Sequence, residues 1–421
     1  MAAFRGACLR GAIAVAGGMV VSLVAMPATA QAATTNVPCD PTALKNAITS
    51  ANSGDTLVLA HNCVYSYTTP DNANNALPVI TKKLTINGRD ATIQRDPTTA
   101  ALFRIFQIDG PGNLALNDLT VRNGSTPGTA GGNIFVNPGG TLSLTRSVVT
   151  NGTATDGGNI FANAGGTIDL TRSVVRNGTA FDGGGFFILA SATVRIRHSA
   201  IRDNTSAAFG AGISSRGDLT VADGTTISNN ATGGVGGGLA NSGPATIDDS
   251  EIFSNSAAST GGFRGGGGIF NLNSGKVNLH HTRVEHNTVT ATANAPGVGG
   301  GISNQGVAAT VTIDGGKVGH NSAEGTNAQG GGVYNEGTLS TKRLEIEHNT
   351  STGTGAQGGG LTNNGGTATL TSSQVEHNTS SAPPGGINNK SGTVALNYSK
   401  VKHNKPTNCA GSAVPVPGCV N

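Results

Sequence analysis

Two short motifs hold the residues best suited to chemistry: Asp156-Gly157-Gly158 and Asp182-Gly183-Gly184-Gly185, with aspartates 26 residues apart. Two carboxylates held close can split their pKa values and act as acid and base, or share a Ca²⁺ ion. The plainer reading is turn chemistry, because Asp before Gly is a common turn pair. The motif is also short, since Thr129-Ala130 and Ala208-Phe209-Gly210 occupy the matching places on either side. Arg122, Arg176 and Arg202 recur nearby with Thr150 interrupting, joined by Arg146 and Arg172. They suit a face for the acid groups of a polysaccharide. They equally suit a solvated face of mixed charge, for the same place later carries Glu285, Gly319, Glu347, Glu376 and Lys402.

His286, His320, His348, His377 and His403 each precede an Asn. Spread along a repeat axis, they suit stacking and not a metal centre, which needs ligands converging on one point. No metal ligand is assigned, and a stack of imidazoles is expected to lose stability in acid. Thr141, Thr167, Thr193 and Thr393 form a broken file of the kind strand propensity gives, unlike the paired hydroxyl files of an ice-binding face. Phosphate loops, nucleophile elbows and zinc-protease motifs are absent from the sequence.

What positions these residues is a repeat. One unit recurs: a Gly cluster with an aliphatic residue, a turn, an alternating strand, then an aliphatic residue followed by Asn. Gly131-Gly132-Asn133-Ile134 with Thr141–Leu144 and Asn151 is one copy; Gly299-Gly300-Gly301-Ile302 to Asn321 is another. The recurring Asn stands at 123, 151, 177, 204, 230, 255, 287, 321, 349, 378 and 404, roughly every 26 residues with insertions. Apolar residues alternate with period two in short runs bounded by Gly, Asn, Asp and Ser, which predicts strands and tight turns, two or three strands per unit. Stacked coils would bring each Asn against its neighbours in a side-chain ladder. On that ground Asn123, Asn151 and Asn177 are read as ladder members and not as glycosylation sequons. The aspartate pair, one coil apart, should sit at the inter-strand spacing of ~4.8 Å.

The chain has 421 residues, 65 of them Gly, with 12% charged and 4% aromatic residues and no Trp. That excludes a charge-rich disordered chain or coiled coil and leaves Val, Ile, Leu and Ala to build the core. The net charge is +3, and nearly neutral without Arg5 and Arg10, so nucleic acid is not an expected partner. Residues 1–32 read as a secretory signal: Arg5 and Arg10, an apolar run from Gly11 to Met26, then small residues at Ala30-Gln31-Ala32. No later stretch is long and apolar enough to span a membrane. Cys39, Cys63, Cys409 and Cys419 remain, one close pair at each end, and local pairing closes the shortest loops in an oxidising compartment. A short helix from Pro41 to Ala51, N-capped by Asp40, is expected to cover the first coil. The expected organisation is an N-terminal cap over 33–75, a β-helix over 76–405 and a stapled C-terminal cap over 406–421.

The Gly-Gly-Gly-Ile and Ile/Val-x-x-Asn pairing resembles the repeats of polymorphic outer-membrane proteins and related secreted β-helix proteins. Ala47–Tyr65, Leu77–Arg95 and Phe103–Gly124 resemble the first coils of pectate-lyase-like β-helices. The resemblance covers residues 39–421 and implies a single right-handed parallel β-helix of about a dozen coils. It does not specify an activity. The expected function is a secreted, non-catalytic, monomeric scaffold of bacterial type that binds polysaccharide or another cell-surface component without a cofactor. The alternative is an extracellular polysaccharide lyase or glycoside hydrolase. Asp156 and Asp182 would then serve as acid and base or as Ca²⁺ ligands, with Arg176 or Arg202 holding the substrate's acid groups.

Overall fold

The computed structural model describes residues 32–259, 265–291 and 296–421. The expected leader, apart from Ala32, lies outside the described residues. The rest is an all-β parallel solenoid of about a dozen turns, with a single helix among the described residues. A typical coil is Ile160–Ala162, Thr167–Thr171, Val174–Arg176 and Thr179–Asp182. Each strand pairs in parallel with its counterpart one coil away, as Ile160 with Ile134 and Phe186. There are thus four strands per coil and not two or three. The fourth, which follows the Asn corner, lies in a separate ten-stranded sheet running from Ser125–Ala130 to Thr379–Ser380.

Alternation in the strands becomes burial. Leu142, Ile168, Val194 and Leu219 share one register position and are at most 2% exposed, while Thr141, Thr167 and Thr193 beside them face outward. Each such aliphatic side chain contributes roughly 1.5–3 kcal/mol by leaving water. Because the same residue types stack on themselves coil after coil, the core is a set of aliphatic columns and needs few aromatics.

The corners carry the polar half of the design. Asn230 donates from Nδ2 to Oδ1 of Asn255 at 2.9 Å, and Asn255 to Asn287 at 3.0 Å. The contact repeats through Asn321, Asn349, Asn378 and Asn404, and ends on Asn408 of the C-terminal segment. Each Oδ1 also accepts the backbone N–H of the corner one coil below, as Asn255 N to Asn287 Oδ1 at 3.0 Å. Asn123, Asn151 and Asn177 are not members. They stand one place earlier, at φ 64°, 56° and 52°, in register with Asp203, Asn229, Ser254 and the five histidines. The left-handed region favours Asn, Asp and His among residues with a Cβ, which accounts for the composition of that column. The three sequon asparagines are therefore outward-facing corner residues.

In those early coils the corner itself is Gly124, Gly152 or Gly178. The amide for the first two comes from the Gly cluster of the same coil: Asn133 Oδ1 accepts from Gly124 N at 2.8 Å and Asn159 Oδ1 from Gly152 N at 3.0 Å. From Gly178 onward the amide comes from the next corner, beginning with Asn204 at 2.9 Å. The two sources exclude each other by volume. A Cβ on Gly152 would lie 2.9 Å from Asn159 Oδ1, and one on Gly212 would lie 3.0 Å from Asn230 Nδ2. A second buried amide file, not anticipated, runs through Asn241, Asn271, Asn304, Asn335, Asn363 and Asn389.

Both ends are closed by disulfides, Cys39–Cys63 and Cys409–Cys419. The helix Pro41–Ser50 has Pro41 in its first turn, Asp40 accepting from Thr42 N at 2.9 Å, and Leu44 and Ile48 buried. Parallel pairing begins earlier than the expected boundary at residue 76, since Thr34–Val37 already pairs with Thr56–Leu59. The helix thus covers a coil that the cap region itself contains.

Replacing Asn287 by Ala removes one amide that serves a backbone N–H, a backbone carbonyl and two neighbouring amides. The expected loss is about 2–4 kcal/mol, the cost of buried polar groups left unpaired. Asn151→Gly, at an exposed corner with positive φ, should change stability by less than ~0.5 kcal/mol. Chemical denaturation of both variants checks the assignment of the ladder.

Candidate functional site

Asp156 and Asp182 end the strands Thr153–Asp156 and Thr179–Asp182 and are paired in register. The chain turns at once through Gly157 (φ 63°) and Gly183 (φ 67°), where a Cβ would lie 2.4 and 2.2 Å from a backbone carbonyl oxygen. Turn chemistry and side-chain stacking are thus both present. Asp182 is 8% exposed, and its Oδ1 accepts the Phe209 N–H at 3.1 Å. Asp156 is half-buried. Desolvation pushes the Asp182 carboxyl up to about 6, helped by the neighbouring Asp156 charge and opposed by the Phe209 N–H and by Arg216. Desolvation also raises Asp156, again against Arg216.

Arg216 is the cation whose charge acts on both carboxyls, and nothing in the sequence singled it out. It follows the strand Ile213–Ser215, more than one coil beyond Asp182 in the chain. Its guanidinium sits over the Phe187 ring at 5.0 Å. Phe187 heads a stack, with Phe161 at 5.5 Å and Phe135 beyond it at 5.0 Å, and Arg104 lies over Phe135 at 4.8 Å. The ring faces are occupied by each other and by the two arginines. Phe161 and Phe187 are 6% and 3% exposed, so this stack is a support and not a platform for a ligand.

Beside Arg216 a groove of about 330 Å³ opens, lined by Phe209, Ser214, Arg216, Asn241, Ser242 and Asn273 among others. The other arginines lie elsewhere. Arg122, Thr150, Arg176 and Arg202 form the expected file, but on the strand before the corner. Arg122 donates to Gln94 at 2.7 Å and Arg202 pairs with Asp203. Neither Arg176 nor Arg202 appears among the charges acting on the aspartates.

The histidines form a column on the surface, with ring centroids 4.9 to 5.2 Å apart. Burial lowers the His320 pKa, helped by Lys317, His286 and His348. Glu285, Lys317 and Glu347 link three coils beside it, at 3.3 and 2.6 Å.

The raised Asp182 pKa has a consequence for stability. Between the unfolded value near 3.8 and the folded value near 6, the native state binds more protons, so stability falls as pH rises through that window. Above it a constant penalty of roughly 2–3 kcal/mol remains. Asp182→Asn should therefore raise the melting temperature relative to the parent at pH 7.5 and leave it nearly unchanged at pH 4. Thermal unfolding of both proteins from pH 4 to 8 checks the sign.

No protein-family model and no curated protein matches the chain. Among solved structures, the pectate lyase Pel9A overlaps 91% of this chain and 81% of its own, at 11% identity and a TM-score of 0.39. The assignment of the fold rests on the strand register described above, and the overlap carries no argument about activity or substrate.

Proposed function

We propose that the chain is an exported, non-catalytic β-helix that binds polysaccharide, with uronate-bearing chains as its ligand class. The position of Arg216 carries this reading. Its guanidinium rests on Phe187, faces the acid pair and remains exposed at the mouth of the groove. A fixed guanidinium matches a carboxylate at two points, and the accessible hydroxyl of Ser242 and amide of Asn273 suit sugar hydroxyls. Phe209 and Leu272 offer apolar contact for a ring face. Two disulfides support an oxidising, extracellular setting. Arg122, Arg176 and Arg202 lie one strand earlier and stay outside this surface.

One observation favours the catalytic alternative. A carboxyl with a pKa near 6 beside a second carboxylate resembles the acid and base of a glycoside hydrolase. Against it, Asp182 is nearly buried and already accepts a backbone N–H, which leaves Asp156 as the accessible member.

Incubation of the protein with uronate and neutral polysaccharides, with and without Ca²⁺, separates the two. The expected result is retention on a uronate polymer without product release, weakened at least tenfold by Arg216→Ala. Release of reducing ends or unsaturated uronates, lost in Asp156→Asn or Asp182→Asn, would replace binding by catalysis. Neither retention nor release defeats both readings.

A further inference from the structure

The histidine column is not uniform. His286, His320, His348 and His377 stack with interplanar angles of 7°, 3° and 7°. Parallel rings one strand spacing apart hold their in-plane lone pairs side by side, so no single ion can be met squarely by two of them. The last pair differs: His403 is tilted 30° from His377 at a centroid distance of 5.2 Å. At that point Glu376, the residue before His377, adds a carboxylate. One of its oxygens and one nitrogen from each imidazole lie within 4.8 Å of one another.

We propose that Glu376, His377 and His403 bind one divalent transition-metal ion, with Zn²⁺ as the fitting member of that class. Two imidazoles and one carboxylate are the borderline-to-hard donor set that Zn²⁺ takes, and the exposed face leaves its fourth position to water. Tetrahedral Zn²⁺ holds its donors roughly 3.3 Å apart, and the three donors already lie within 4.8 Å of one another on side chains with free torsions. His377 and His403 are exposed, and Glu376 is half-buried. The backbone beneath is fixed. Both histidines sit in left-handed corners at φ 56°, and the next residues, Asn378 and Asn404, are joined through their amides at 2.9 Å.

Lys402 stands 3.1 Å from Glu376 Oε2 and is the competing cation. It occupies one carboxylate oxygen and is itself 44% exposed, so it can swing out to solvent as the ion arrives. The ligands come from two successive coils, and the second is the last before the C-terminal cap. A bound ion would therefore clip the final coil to the one beneath it, beside the Asn404–Asn408 contact that ends the ladder.

The test is calorimetric titration of ZnCl₂ into the purified protein, made without a polyhistidine tag, at pH 7.5, with thermal unfolding in the same buffer. One ion per chain should bind with a dissociation constant below roughly 100 µM and raise the melting temperature. His403→Asn and Glu376→Gln should each weaken binding at least tenfold, while His286→Asn should leave it unchanged. Asn is the residue this corner carries at 151, 177 and 229, so the histidine variants retain a side chain the corner accepts. No saturable binding would overturn the proposal. So would an equal loss in His286→Asn and His403→Asn, which would mean that any imidazole of the column serves, or full binding in Glu376→Gln.

Discussion

At one corner of each coil from Gly124 to Asn404, a backbone N–H points into the interior and a carboxamide oxygen must meet it. The geometry of the rest follows. An amide that accepts from one coil and donates to the next fixes the rise between coils at the strand spacing. Its volume forces glycine opposite, which is one reason the Gly clusters recur. The residue before it must enter the left-handed region, which admits Asn, Asp and His and keeps β-branched side chains out. With the corners set, the aliphatic columns fall into register, with an aromatic ring such as Phe106 or Phe186 taking an aliphatic place in the early coils.

The candidate site uses this frame at one place. Where the corners are Gly152 and Gly178, the following strands end in Asp156 and Asp182, and strict parallel register then puts two carboxyls together. The fold, and not a dedicated cleft, makes them neighbours. Their shared burial raises both pKa values, and Arg216 on the phenylalanine stack limits that rise without cancelling it. The histidine column arises in the same way, from one corner residue repeated over successive coils.

The period, the outward threonines, the aliphatic core, the terminal disulfides and the Asp40-capped helix were legible in the sequence, because each depends on local spacing. The ladder was legible only in part. Asn151 and Asn204 keep the same repeat distance to within a residue, and a one-place shift cannot be seen from spacing when Gly152 and Asn159 have exchanged roles. The signal was Gly157-Gly158-Asn159-Ile160 giving way to Gly183-Gly184-Gly185-Phe186, followed at the next corner by Asn177-Gly178 giving way to Asp203-Asn204. Arg216 left no such trace, since its charge reaches the aspartates through space from a place over Phe187 that only packing creates. The second amide file left a signal of its own, an Asn two residues after the cluster aliphatic, as in Ile269-Phe270-Asn271 and Ile302-Ser303-Asn304.

The change of amide source gives the chain a polarity. A coil with a corner Gly and a cluster Asn supplies its own amide; a coil with a corner Asn supplies the one below. Placing the second kind directly on the first would deliver two amides to one corner. The reverse order would deliver none. The coil between them, with Gly178 at its corner and Gly185 in its cluster, carries neither and so joins the two kinds without conflict. Duplication or exchange of coils by recombination is therefore tolerated within each block and barred across the junction. The array could lengthen on either side of Gly178–Gly185, but its two halves cannot be interleaved.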